Sequence, residues 1–474
     1  MKTTDKLAPC DLKPEVQHLF ELASAKTAML ERRWKAADGA PVFTVAGKYT
    51  ARGWTQWTQG FQYGNAILCF DLTGDQSLLK SGREQTAAHM AEHLTNIGVH
   101  DHGFNNLSTY GQLRRLMLEG KIPMNSWELQ YYELALKVSG AVQAARWTAL
   151  PEGQGYIYSF NGPHSLFIDT MRTIRVCGVA HKLGHALLGE QDARINLLGR
   201  LLTHAATTAK WNVYYGEGRD SYDTVELSGR TSHEAIFNTV SGTFRCPSSQ
   251  QGYSPFSTWT RGLAWAMLGF AEELEFVSSL PESEFGHSGV MGKSAAVSML
   301  KKTAQATCDF YLSQASASDG ICYWDTGAPN LHRLGAWRDS VADPYNPYEP
   351  VDASASAIAA QGLIRLGTAM GPAGDCYSQA GLALTKRLLE EPYLSTDAEH
   401  EGILLHSIYH RPNGWDYVPP KLSIPAGESS MWGDYHLLEL GLLVARMSEG
   451  SYYSFFGSSL DEQETVAMGK KGRA

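Results

Sequence analysis

Amphipathic helical spacing recurs along almost the whole chain, and it comes in pairs. Val297, Leu300, Ala304, Cys308 and Tyr311 follow the three-and-four spacing of one buried helix face. Similar stretches run over Leu78–Leu94, Ile195–Trp211 and Gln379–Leu389, while alternating strand patterns are few. Short polar turns join a first helix to a second: Leu72-Thr-Gly-Asp75 before Gln76, Leu188-Gly-Glu-Gln-Asp192 before Ala193, and Leu366-Gly-Thr before the helix near Gln379. Longer loops rich in Trp, Tyr, His, Asp and Gly follow, at about 97–107, 210–225, 245–260, 319–352 and 396–432. Helix pairs that cannot bury both faces alone must stack, as an open solenoid or as a closed ring. About six hairpins of roughly 60–75 residues fill such a chain. In either arrangement the loops gather at one end, where function collects.

The composition narrows the function. Hydrophobic residues are 43% and charged residues 19% of the 474, as in an ordinary globular protein. No apolar run reaches the roughly 20 residues of a membrane span. The formal net charge is −9, and the densest cluster of cations is the short terminal group Lys470, Lys471 and Arg473. That is not the footprint of a nucleic-acid binder. The seven cysteines are scattered, with no Cys-x-x-Cys pair, which points away from a disulfide framework or a cysteine metal site. The opening Met-Lys-Thr-Thr-Asp-Lys-Leu-Ala-Pro-Cys has no apolar core. It reads as no secretory leader, so a cytoplasmic location is expected; a secreted form already trimmed of its leader would read alike. Walker, dinucleotide-binding and Gly-x-Ser-x-Gly motifs are missing. His181-Lys-Leu-Gly-His185 has the spacing of two zinc ligands, but Lys182 stands where the catalytic Glu would be. We expect a structural pair there, and neither metal nor cofactor in the protein.

Three local signals carry chemistry. Trp57-Thr-Gln-Gly-Phe61 opens a helix, His100-Asp-His-Gly-Phe104 sits in a loop, and Asp169 lies inside the apolar helical stretch Leu166-Phe-Ile-Asp169-Thr-Met. A buried aspartate is costly unless it is paired or functional, and burial raises its pKa toward that of a general acid. Asp169 is therefore a catalytic candidate or the ion-pair partner of Arg172. The 12 Trp residues and the 11% aromatic content suit either sugar-stacking loops or a large helical core.

Taken in order with those motifs, Ser257-Thr-Trp-Thr-Arg-Gly-Leu-Ala-Trp265, Tyr323-Trp-Asp325, Val351-Asp-Ala-Ser-Ala-Ser-Ala-Ile358 and Met431-Trp-Gly-Asp-Tyr435 resemble the unsaturated glucuronyl hydrolases. The related unsaturated rhamnogalacturonyl hydrolases share that architecture. The resemblance runs from about residue 50 to 455. It implies an all-α, α/α toroid of six helical hairpins, one catalytic domain over 1–474 with its core at about 15–460 and loose termini. The implied substrate is an acidic oligosaccharide ending in a 4,5-unsaturated uronic acid, released by hydration of its enol ether. By the same resemblance, Asp169 is the general acid and base and Asp101 the second catalytic carboxylate. Trp57, His100, His233, Gln251, Arg261 and Trp265 bind substrate, with the Arg261 fork suited to the uronate.

The chain also departs from that pattern. Residues 105–155 are longer than usual, His102 replaces an aliphatic residue, Leu263 replaces a Gln, and Val341–Tyr348 enlarges a loop. These changes are expected near the pocket mouth. They keep open a saturated β-glucuronidase on the same fold, whose carboxylate spacing would set retention or inversion, and a non-catalytic carbohydrate-binding toroid. Asp325, Asp352 and Asp434 are further carboxylates that such chemistry would have available.

Overall fold

Each long inner helix packs against inner neighbours on both sides, and the last of them packs against the first. The six are Gln59–Thr73, 102–118, 170–182, Thr260–Ser279, Ala353–Met370 and Met431–Ser448. Outer helices Lys13–Arg33, Gln76–His89, Ser126–Ala145, Leu197–Trp211, Lys293–Phe310 and Asp375–Leu388 alternate with them along the chain and pack outside. The closed ring, not the solenoid, is therefore the architecture, an α/α toroid. This is a computed structural model, and it describes residues 6–53, 56–287, 289–454 and 456. Lys470, Lys471, Arg473 and the first five residues lie outside the described residues. No helix among the described residues is long and apolar enough to cross a membrane.

Ring closure demands close helix approach, and glycine supplies it. A Cβ on Gly362 would come 2.9 Å from the Leu268 backbone nitrogen, and one on Gly103 would come 2.8 Å from the Thr173 carbonyl. The inner helices are buried almost throughout, whereas the outer ones bury one face. One apolar cluster fills the space between the two layers.

The ring's centre is not wholly apolar. Arg172 donates to Glu272 and to Glu439 (3.0 Å), and Arg175 donates to Glu272 (2.9 Å). Arg365 donates to Glu275 at 2.8 Å. Burial works to raise the Glu439 carboxyl, but the Arg172 and Arg175 charges hold it down at about 2. Arg172 is thus taken by glutamates, so Asp169 is not its partner. Beyond the last inner helix, Tyr453 reaches Glu439 (3.1 Å) and Phe456 stacks on Phe276, which covers the far end of the ring.

Three local expectations change. The turn after Leu188 is a β-hairpin between Ala186–Leu188 and Arg194–Asn196, and the helix starts at Leu197. Asn196 caps that helix by accepting from Gly199 N, so the chain is still extended at Ile195. Asp169 is not inside a helix but precedes one, after strand Ser165–Phe167. The long 105–155 segment forms most of an inner helix, an outer helix and the strand Trp147–Ala149, and none of it lines the cavity described below.

Breaking the central charge network should be costly. Glu272→Ala leaves Arg172 and Arg175 buried with less compensation, and we expect a loss of about 3–5 kcal/mol, measured by denaturant unfolding.

Candidate active site

The N-terminal ends of the inner helices converge on one cavity of about 410 Å³. Trp57 stands just before the first, Asp101 and Asp169 are the N-caps of the second and third, and Trp259 is the N-cap of the fourth. Asp352 and Ser430 cap the fifth and sixth through their side chains. Helix N-termini carry partial positive charge. Their convergence makes the cavity favourable to an anion although the chain is acidic overall.

Two packing choices bring the carboxylates together. Gly103 lets the second inner helix touch the third at Thr173, whose hydroxyl donates to the His100 carbonyl at 2.5 Å. A three-stranded antiparallel sheet, Ser165–Phe167 beside Glu234–Phe237 beside Phe244–Ser248, then sets Asp169 next to His233. Ile168 N donates to the His233 carbonyl at 2.9 Å. A small separate apolar cluster of Leu150, Tyr156, Leu166, Ala235 and Phe237 supports this sheet.

His100 lies between the two aspartates. Its Nε2 is 3.3 Å from Asp169 Oδ1, and its Nδ1 is 3.8 Å from Asp101 Oδ2. Burial disfavours the imidazolium, but the Asp101 and Asp169 charges keep its proton on above the ordinary histidine range. Burial also works to raise Asp169, yet His100 overrides it and brings the carboxyl below its usual range. This corrects the expectation that burial would raise Asp169. Asp101 is the carboxyl that rises, through burial first and then the Asp169 charge, against the pull of His100. Both shifts favour the imidazolium–carboxylate form of the His100–Asp169 pair.

The remaining candidates are placed unevenly. Trp57 lines the cavity and stacks on Trp432 at 5.1 Å. Trp265 and Gln251 line it as well. His233 stands behind the wall: its Nδ1 accepts from Gln250 N (3.1 Å) and Gln251 N (3.4 Å), and its ring packs on Trp259 at 4.6 Å. Arg261 lines the cavity, but its terminal nitrogens are committed. They donate to Asp352 (2.6 Å), Gln251 (2.9 Å), the Tyr409 carbonyl (2.8 Å) and the Ile408 carbonyl. The fork is therefore engaged by protein acceptors, and it frames the pocket wall by tying three loops together.

The other carboxylates hold structure. Asp434 accepts from Tyr49 (2.6 Å), Ser429 (2.7 Å) and Leu404 N (2.8 Å). Asp325 accepts from Tyr253 N and Gly327 N, both at 2.8 Å. Asp352 caps a helix and holds Arg261. His102 does not line the cavity: it is buried, stacked on His93 at 4.5 Å, and burial lowers its pKa well below the usual histidine range. Sequence reasoning did not single out Phe160, Gln250, Tyr409, His410, Asn413 and Trp415, which complete the wall. The available signal was the aromatic character of the 396–432 loop. His181 contacts Glu284 at 3.1 Å, and no group of three metal-ligating side chains occurs among the described residues.

A helical toroid with two carboxylates at the base of an aromatic, anion-favouring cavity defines a glycoside hydrolase. The chain is a relative of the unsaturated glucuronyl hydrolases. It is 26% identical over 424 residues to the unsaturated glucuronyl hydrolase of Bacillus sp. strain GL1, covering 86% of this chain and 91% of that protein. It is 25% identical over 387 residues to the enzyme of the same name from Formosa agariphila, covering 81% and 78%. Among solved structures, the Bacillus sp. GL1 enzyme matches with a TM-score of 0.68 at 23% identity, covering 91% of this chain and 97% of that one. An unsaturated glucuronyl hydrolase specific for heparin matches at 0.69 and 19%, covering 93% and 99%. No protein-family model matches the chain.

Arg261→Lys keeps the charge and loses the fork. We expect it to cost about 1.5–3 kcal/mol in thermal or denaturant unfolding. In an Asp352→Asn background the same change should cost less, because the charged partner is already gone.

Proposed function

We propose that this enzyme removes a terminal 4,5-unsaturated uronic acid from an acidic oligosaccharide by hydrating its enol ether. The observation that carries the reading is the His100–Asp169 pair with Asp101 beside it, lining a cavity at the N-terminal end of the inner helices. The names of its relatives support it.

The residues suit the chemistry. Protonation of carbon four needs one positioned acid, and addition of water at carbon five needs the same group as a base. Asp169 fills both roles, with His100 as its proton reservoir. An approaching uronate disfavours the Asp169 anion, and the imidazolium proton passes across the 3.3 Å contact. Once Asp169 has protonated carbon four it is an anion again, ready to take a proton from the attacking water. The resulting hemiketal opens and the neighbouring sugar leaves. Asp101, whose carboxyl burial pushes above its usual range, lies beside His100 to hold a sugar hydroxyl. Trp57 and Trp265 bound the sugar ring with apolar faces.

His100 sets the alkaline limit and Asp169 the acid limit. The rate constant kcat/KM should fall as pH rises through the raised His100 pKa, and fall again as pH drops through the lowered Asp169 pKa. Asp169→Asn should lower kcat about 100- to 10,000-fold on an unsaturated uronyl disaccharide while the protein stays folded. His100→Gln should move the alkaline limb to lower pH, since a carboxyl alone must then hold the proton. An Asp169→Asn protein with full activity, or a His100→Gln profile identical to the parent's, contradicts the assignment.

A further inference from the structure

The loop between two wall residues carries exposed aromatics that the pocket does not use. Gln251 and Trp259 both line the cavity, and between them Tyr253 is 52% and Phe256 44% exposed. Chain geometry alone keeps Tyr253 within about 7 Å of Gln251 and Phe256 within about 11 Å of Trp259, measured between Cα atoms. Tyr222, 46% exposed, comes from a separate loop and stacks on Phe256 with centroids 4.0 Å apart and planes 20° apart.

This group is held in place from below. The buried Arg230 guanidinium donates to the Phe256 carbonyl (3.2 Å) and to the Tyr222 carbonyl (3.4 Å), so one side chain fixes both loops. It lies over the Tyr214 ring at 3.7 Å. Tyr253 N is anchored on the buried Asp325 at 2.8 Å. The loop is further closed by Gly252 N to Ser249 Oγ and Ser257 N to Ser254 Oγ, each at 3.0 Å. Three half-exposed aromatic side chains on a rigid base, two of them within a few residues of the cavity wall, mark a binding surface. Flat aromatic rings bearing a hydroxyl edge match the C–H faces and hydroxyls of sugars.

We propose that Tyr222, Tyr253 and Phe256 form a distal saccharide platform, which binds the sugars of an oligosaccharide that extend beyond the pocket. The proposal rests on the reading of the pocket given above. Tyr253 and Phe256 lie on the stretch of chain that joins the wall residues Gln251 and Trp259, so the occupant argued for is the remainder of the substrate seated in that cavity. It favours longer chains over disaccharides without touching the reacting atoms.

The test uses the full chain and two substrates with the same unsaturated end, a disaccharide and a tetrasaccharide, followed by loss of the enol-ether absorbance. The parent protein should show the lower KM on the tetrasaccharide. Phe256→Ala and Tyr253→Ala should each raise the tetrasaccharide KM roughly three- to tenfold, the scale of one aromatic stacking contact. Disaccharide KM and both kcat values should stay unchanged. Equal KM for both lengths in the parent, or variants that shift both substrates alike, overturns the platform and leaves the pocket reading intact. Failure of the parent to act on either length overturns the pocket reading, and the platform with it.

Discussion

Close approach of the inner helices is the constraint on which everything else in this protein depends. Where Gly362 meets Leu268 and Gly103 meets Thr173, a side chain would push neighbouring helices apart. Because they do not separate, the ring closes and six helix N-termini share one end. The same closeness confines Arg172, Arg175 and Arg365 with Glu272, Glu275 and Glu439 at the centre. Such buried charges add little net stability but tolerate few alternative arrangements. Packing fixes the ring, and the charges make its register hard to change.

The site inherits its electrostatics from that geometry. Backbone dipoles supply positive potential where the chain as a whole is acidic. Arg261, the cation nearest the cavity wall, has its terminal nitrogens occupied by Asp352, Gln251 and the backbone carbonyls at Ile408 and Tyr409. Its contribution to an anionic ligand is therefore its field and the loops it holds. The surroundings of the two aspartates separate their proton affinities: the His100 contact lowers Asp169, while burial and the Asp169 charge raise Asp101 against the pull of His100.

Much of this was legible in the sequence because helical amphipathicity is a local signal. The paired helices, the loop end and the two aspartates followed from spacing and motifs. What was not legible depends on contacts made across the ring. Nothing local to Arg172 says that it faces Glu272 and Glu439 instead of Asp169. Nor does the Trp-Thr-Arg-Gly motif say that the Arg261 fork is already filled. Asp169 read as a residue within a helix because its neighbours are apolar, yet those neighbours form a buried strand, which periodicity cannot tell from a short helix segment. Tyr409, His410 and Trp415 reach the cavity by a long loop whose path no local pattern encodes.

Hydration of an enol ether and cleavage at the anomeric carbon consume different substrates. The most direct measurement offers the protein an unsaturated uronyl disaccharide and, in parallel, a saturated nitrophenyl β-glucuronide, and follows the enol-ether absorbance and the released nitrophenol. The enol-ether signal should disappear while the saturated glycoside stays intact. Release of nitrophenol with an unchanged disaccharide would contradict the hydration chemistry, and would assign Asp101 and Asp169 to cleavage at the anomeric carbon.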